Sequence, residues 1–375
     1  MKVLFGGPYY TKGCGVSNYE KMLMEEISKS HQVYHFKYNF LQNKNPFEIF
    51  GLIKKIKNLK PDVIHLQYTP TLGGPFFPLL IYILKKQLKI ILNSHENIDV
   101  YYRYLKPLKF LLNLYEKIVV KNSDYYIVHI QEHKDFIINN LKLNGDNIKI
   151  VNHPVSYINT DKINPNKINP EVYSKYGIPE NKKLYLAFFG NIKYKKGIDI
   201  LLKVVKSLNK TDRDKFNLLI MGCPNKREKR YYLKLKKLSS GLDNITFTGF
   251  IEESDLPHIL KRLDLIILPY RNCTDSGILY KEVFPHNIPV LASNVGGLKR
   301  VGELGIGKNF DGPDDLRKKI REFIINRWDL KDECMLQEAG PQRHGLLKHR
   351  LLIKEFDITK ICKIYLRLYN EQNKV

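Results

Sequence analysis

Five segments of this 375-residue chain place glycines, lysines and acids directly behind continuous apolar runs. They are Phe188-Phe189-Gly190-Asn191-Ile192-Lys193-Tyr194-Lys195-Lys196-Gly197, then Gly222, Phe247-Thr248-Gly249-Phe250, Pro269 to Glu282, and Ser293 to Gly297. Glycine lets a backbone approach a ligand closely. A helix N-terminus with glycine and lysine beside it holds phosphate. Turn chemistry alone accounts for any one of these glycines. The whole set, repeated behind successive apolar runs, points to a nucleotide held in one crevice.

These residues can act together only if the apolar runs are strands of one parallel sheet, because ligands then collect at the carboxyl ends. The runs are Leu184 to Phe189, Leu218 to Met221, Ile245 to Phe247, Leu265 to Leu268 and Val290 to Ala292, with helical patterns between them. The first half has the same rhythm. Strands are expected at Val3-Leu4-Phe5, Val33 to Phe36, Asp62 to Leu66, Ile90 to Leu92, Tyr125 to His129 and Ile148 to Val151. Helices are expected at Ser17 to Ser28, up to about Lys60, near Phe77 to Lys86 and from Pro107 to Lys121. Continuously apolar strands alternating with helices read as parallel sheets covered on both faces. Asn152 to Pro179, with Pro154, Pro165, Pro170 and Pro179, reads as a linker. The fold class is therefore α/β, with two doubly wound Rossmann-like domains, over residues 1–155 and 181–350, joined by residues 156–180. Residues 351–375 carry an amphipathic helix, about Ile358 to Tyr369, that could cross back to the first domain.

Sixty-two Lys and Arg against 38 Asp and Glu give a formal charge of +24. Such a field attracts polyanions, anionic lipid surfaces and phosphorylated small molecules. No nucleic-acid module is visible, so no nucleic-acid partner is expected. Lysines recur at helical spacing, as in Leu233-Lys234-Leu235-Lys236-Lys237-Leu238, which suits solvated helix faces or an anionic membrane surface. Apolar stretches are too short to span a bilayer, and the N-terminus opens into a strand pattern without a signal-peptide layout. Cys14, Cys223, Cys273, Cys334 and Cys362 are scattered, which fits a reducing cytosol. A cytoplasmic protein is expected, with a peripheral place on the inner face of a membrane as a further option.

In order and spacing these segments resemble the retaining glycosyltransferases of the GT-B fold, family 4, also called glycosyl transferases group 1. The resemblance rests on Phe189-Gly190-Asn191 through Lys196-Gly197-Ile198-Asp199, Ile245 to Ile251, Asp264 to Pro269, Ser276-Gly277-Ile278-Leu279-Tyr280-Lys281-Glu282, and Pro289 to Gly297. It implies two domains facing each other across a cleft and a sugar transfer from a nucleoside-diphosphate sugar to a glycan or lipid-linked acceptor. By resemblance, Lys196 binds the donor diphosphate and Glu282 accepts from the ribose hydroxyls. Phe250 and Ile251 match the segment whose backbone reads the base. Gly277, Ile278 and Leu279 match amides near the diphosphate, with Ser276 and Gly190 in the same loops. In the first domain, Gly15 matches a glycine-rich loop facing phosphate, and His95 matches a histidine beside the donor sugar.

The chain departs from the family pattern at three places. Asn191 stands where an arginine is usual, so Lys193 is the candidate for the second phosphate charge. Thr274, with Asp275 beside it, replaces a glutamate for the sugar hydroxyls. Lys299-Arg300 replaces an acid after the glycine pair. No cofactor and no metal are expected. The only Asp-x-Asp, Asp212-Arg213-Asp214, reads as a solvated turn. Two other readings stay open: a sugar-nucleotide epimerase of the same fold, with Glu96 and Asp99 as its carboxylates, and a non-catalytic binding relative. Membrane contact is expected at Tyr101 to Leu112 and at the Thr69 to Pro78 loop, whose Phe76 and Phe77 could form an exposed tip.

Overall fold

The computed structural model describes residues 1–7, 15–37, 47–69, 75–96, 106–155, 170–327 and 354–371. The chain divides into two compact units, Met1–Pro154 with Phe356–Val375, and Val155–Glu355.

The first unit holds strands β1 (Lys2–Gly7), β2 (Gln32–Lys37), β3 (Val63–Tyr68), β4 (Lys89–Ser94), β5 (Tyr125–Val128) and β6 (Ile148–Ile150). They form one parallel sheet in the order β2-β1-β3-β4-β5-β6. All residues of β3 and β4 are buried, which is why Val63, Ile64, Leu66, Ile90, Ile91 and Leu92 stand on both faces; His65, Gln67, Asn93 and Ser94 are buried with them. Side-chain alternation splits the core in two. Ile64, Leu66, Ile90, Leu92 and Val128 face the helices Phe77–Lys85, Lys109–Lys121 and Gln131–Leu141. Val63, Ile91 and Ile127 face the helix Gly15–Ile27 and the C-terminal helix Ile358–Asn370, through Ile361, Tyr365 and Leu368. Each such buried side chain contributes roughly 1.5–3 kcal/mol. The last helix therefore covers sheet surface that would otherwise meet water.

The second unit holds β7 (Leu184–Phe189), β8 (Phe216–Met221), β9 (Ile245–Gly249), β10 (Leu265–Leu268), β11 (Val290–Ser293) and β12 (Gly307–Phe310). Their order is β12-β11-β10-β7-β8-β9, all parallel. The chain starts at β7, builds outward through β8 and β9, then returns to β10 on the other side. The sheet thus switches direction between β7 and β10, where a doubly wound sheet opens a crevice at its carboxyl edge. Both units are Rossmann-like, as the apolar runs led us to expect.

Several elements differ from the sequence reading. The proline-rich stretch contains the helix Pro170–Lys175; its Tyr173 and the following Tyr176 donate to His258 O (3.0 Å) and Asp255 Oδ2 (2.7 Å). The helix Gln131–Leu141 and the edge strand β12 lacked a clear apolar signal. Asp212 is not in a solvated turn: it is buried, with Oδ2 accepting from Arg321 Nε at 3.0 Å. Phe77 is not an exposed tip either. It is fully buried and stacks on Tyr68 at 5.2 Å, with Phe76 packed partly against the same core. Residues 70–74, 97–105 and 156–169 lie outside the described residues, and with them Asp99 and part of each of the two membrane-contact segments.

Candidate functional site

The loops on either side of the β7–β10 switch hold most of the chemistry. After β7 the chain passes Gly190 and Asn191 and forms a single 3-10 turn, Tyr194–Lys196. Gly197 ends that turn with φ +65°, in the left-handed region. A Cβ there would sit 1.8 Å from the carbonyl oxygen of Pro269, the first residue after β10. Only glycine lets the two loops close to this distance. Lys196 Nζ lies 3.5 Å from the centre of the Tyr270 ring. Beside it, Arg271 forks onto Asp199, with Nη1–Oδ1 at 2.8 Å and Nη2–Oδ2 at 2.7 Å. Both guanidinium arms are committed to the protein, so Arg271 does not replace the arginine missing at Asn191. Asn191 and Lys193 lie on the same loop as Lys196, Asn191 exposed and Lys193 half-buried.

Gly190 donates to Met221 O at 2.9 Å, and Gly222 donates to Gly249 O at 2.9 Å. These bonds carry the sheet's pairing past the ends of β7, β8 and β9. They bring Gly190, Gly222 and the Gly249–Ile251 segment to one edge. Phe250 keeps 41% of its surface exposed, whereas Ile251 is buried. This segment therefore offers backbone and one aromatic ring.

After β10 the loop Pro269–Ile278 runs into a π-helical turn, Leu279–Val283. Such turns recur where a helix must re-aim side chains. Ser276 N donates to Asp275 Oδ1 at 2.8 Å, and Gly297 N donates to Thr274 O at 2.9 Å. The first bond braces the segment Thr274–Ser276 internally, and the second ties it to the loop after β11. Leu279 N is already used by Ser276 O, at 2.9 Å, so it is not an open amide for a phosphate. Gly277 and Ile278 stand at the start of the turn. Glu282 is 5% exposed, with Lys281 Nζ at 3.5 Å. Burial raises its carboxyl above the usual range, and Lys281 opposes that shift. Arg300 Nη1 donates to Tyr280 OH at 3.2 Å, so the cation that stands in place of an acid braces this turn.

In the first unit, His95 follows β4, and its Nε2 lies 2.9 Å from Gln67 Oε1. An amide oxygen only accepts, so Nε2 carries the proton and Nδ1 presents a lone pair. Burial, then the neighbouring His129 and His153, hold the His95 imidazole well below its usual pKa. It is neutral at physiological pH. Tyr19 packs edge-on to His95 (5.0 Å between ring centres) and lies 5.2 Å from His129 and 4.8 Å from His153. Its hydroxyl meets Tyr365 OH at 2.6 Å, and Tyr365 donates to Asn93 Oδ1 at 2.9 Å. Gly15 is the first residue of the helix Gly15–Ile27; residues 8–14 before it lie outside the described residues. Among the described residues, no group of His, Cys, Asp or Glu could hold a metal ion, and no helix is long and apolar enough to cross a membrane.

The family model for glycosyl transferases group 1 matches residues 170–343, and that for Glycosyltransferase Family 4 matches residues 13–157. The chain belongs to the group 1 glycosyltransferases of the GT-B fold. This glycosyltransferase is 27% identical over 297 residues to a 41.2 kDa protein in the cps region of Klebsiella pneumoniae, covering 77% of this chain and 76% of that one. It is 24% identical over 199 residues to the D-inositol 3-phosphate glycosyltransferase of Corynebacterium diphtheriae, covering 51% of this chain and 45% of that protein. Anabaena HepE, solved with UDP and glucose, has the same fold, with a TM-score of 0.71 at 14% identity over 99% of this chain and 100% of that one.

The sequence reading did not single out His129, His153, Asp199, Tyr270 or Arg271 in this glycosyltransferase. His129 directly follows β5 and His153 lies three residues past β6, close to the strand-end signal that drew attention to His95. Arg271 and Asp199 lie 72 residues apart, and no local pattern pairs them.

Proposed function

We propose that this glycosyltransferase moves a sugar from a nucleoside-diphosphate sugar to a glycan or lipid-linked acceptor, keeps the anomeric configuration and uses no metal ion. The observation that carries this reading is Lys196, set in a fixed turn at the switch point of the second sheet. In this reading Lys196 and Lys193 neutralise the diphosphate, and the N–H groups of Gly277 and Ile278 bond to it. Glu282 accepts from the ribose hydroxyls, Gly190, Phe250 and Ile251 border the base, and Thr274 and Asp275 address the sugar. The bond from the anomeric carbon to the phosphate oxygen breaks. The acceptor oxygen bonds to that carbon on the same face, and its proton passes to the departing phosphate oxygen. A lysine beside that phosphate stabilises the charge as it develops. Support for the donor class comes from HepE, which has been solved with UDP-glucose.

The test is incubation with UDP-, GDP- and ADP-sugars and a panel of glycan and lipid-linked acceptors. Transfer is expected. Isomerisation of the free donor would indicate an epimerase, and binding without turnover a non-catalytic relative. Lys196→Ala should cut turnover about 100- to 1,000-fold, the loss typical of a transition-state charge partner. Near-parental turnover in that variant refutes the phosphate role.

We also propose that the first unit docks on an anionic membrane where its acceptor lies. The adjacent helices Phe77–Lys85 and Lys109–Lys121 expose Leu79, Tyr82, Phe110 (75% exposed), Leu111 and Leu114, with Lys85, Lys86, Lys109 and Lys121 around them. Aromatics and aliphatics ringed by lysines suit a headgroup boundary, each lysine adding about 1 kcal/mol. Co-sedimentation should show binding to anionic vesicles that falls with salt and with Phe110→Ser. Equal pelleting with neutral vesicles, or none at low salt, refutes the docking.

A further inference from the structure

Lys196 is the last residue of a three-residue 3-10 turn, an element with poor hydrogen-bond geometry and little hold of its own. A lysine stem is also rich in rotamers, and holding it still carries an entropic cost. A lysine that must meet a diphosphate at one place therefore needs outside support.

That support comes from the two residues behind Pro269, on the opposite side of the switch point. Arg271 N donates to Lys195 O at 2.9 Å, and Arg271 Nη1 donates to Tyr194 O at 2.8 Å. Two of the turn's three carbonyls are thus held by one residue. The guanidinium lies 4.1 Å from the centre of the Tyr194 ring and forks onto the Asp199 carboxylate. Tyr231 OH donates to Asp199 Oδ1 at 2.7 Å, and Asp199 N donates to Tyr231 OH at 3.2 Å. Burial alone pushes the Asp199 carboxyl up, but the Arg271 and Tyr231 bonds outweigh it and the group stays below its usual range. The pair is therefore charged and internally neutral. It clamps the turn without competing with Lys196 for an anion. Tyr270 places its ring 3.5 Å from Lys196 Nζ, within cation–π reach.

We propose that Arg271, Asp199 and Tyr270 are the positioning residues that hold Lys196 where a diphosphate is gripped, the first two through the turn's backbone and the third through the ammonium. This rests on the phosphate role of Lys196. Arg271 and Asp199 themselves do not touch the donor.

The experiment is calorimetry on the full chain with UDP, GDP and ADP, each against its nucleoside. Lys196→Ala first tests the underlying reading: it should weaken the best-bound diphosphate and spare the nucleoside. If it spares both, the phosphate role itself fails, and the clamp falls with it. If it behaves as expected, Arg271→Met should weaken the diphosphate about tenfold or more, leave the nucleoside within about twofold, and add nothing in the Lys196→Ala background, as coupled positions do. Parental diphosphate affinity in Arg271→Met, or losses that add in the double variant, overturns the proposal. Unchanged nucleoside binding reports that the unit is folded. Should Arg271→Met not fold, the Tyr270 pair decides. Tyr270→Phe keeps the ring and should bind like the parent, whereas Tyr270→Leu should lose about three- to thirtyfold on the diphosphate only. Equal behaviour of the two overturns the proposal.

Discussion

Gly197→Ala tests the local geometry of the site most directly. Gly197 has φ +65°, and the Cβ of alanine would lie 1.8 Å from Pro269 O and 3.0 Å from the Pro269 carbonyl carbon. The left-handed conformation costs alanine about 1–2 kcal/mol. The overlap adds more, because carbon and oxygen cannot approach this closely and one loop must retreat by about 1 Å. Neither side yields easily. Pro269 directly follows β10, which pairs with β7 and β11, and the turn before Gly197 is bonded to Arg271. A total of about 3–5 kcal/mol follows, the range of a severe steric change. For a unit of about 200 residues, that lowers the melting temperature by roughly 6–15 °C. A 1 Å displacement of Lys196 should also cost about 100-fold in turnover. Thermal unfolding and donor kinetics on the same preparation read both effects. A melting temperature within about 2 °C of the parent, with parental turnover, would refute the packing argument.

Glu282→Gln should weaken nucleoside diphosphate binding about 10- to 100-fold, since in the proposed role it removes the charge from a carboxylate that accepts from two hydroxyls; unchanged affinity in calorimetry counts against the ribose role. Turnover should persist in EDTA, because in the proposed role lysine supplies the phosphate charge; loss in EDTA with recovery in Mg²⁺ or Mn²⁺ would overturn the metal-free reading. Acid should destabilise the chain, because burial first, joined by His129 in the case of His133 and His153, lowers His65, His133 and His153 to about 3. Below an unfolded value near 6.5 the unfolded state binds the extra protons, at a cost of about 2 kcal/mol per histidine by pH 5. Glu116, raised to about 7 by burial against the bonds from Tyr126 and Tyr68, works the other way and regains about 2 kcal/mol over the same range. The melting temperature should therefore fall from pH 7 to pH 5, and fall further in Glu116→Gln; a flat or rising curve contradicts the assignment.

Strand positions were legible in the sequence because a strand buried on both faces is largely apolar: β7 is so throughout, β8 but for Asn217, and β3 but for His65 and Gln67. Once the strands are known, their carboxyl ends lead to Gly190, Lys196, Glu282 and His95 with no three-dimensional information. The helix Gln131–Leu141 was not legible, because its buried face includes His133 and its apolar signal is weak. β12 was not, because an edge strand with one buried residue has no apolar run. Which sheet the last helix covers was beyond local pattern, since amphipathicity gives a helix an apolar face but not a partner. The tertiary structure places Tyr365 against Tyr19 and Asn93, 346 and 272 residues away. Likewise, Arg271 and Asp199 carry no mark of each other in the sequence. Their pairing follows from the parallel contact of β10 with β7, which brings two loop starts together across more than 70 residues of chain. Periodicity reports the environment of one element, whereas a site at a switch point is made by the adjacency of two.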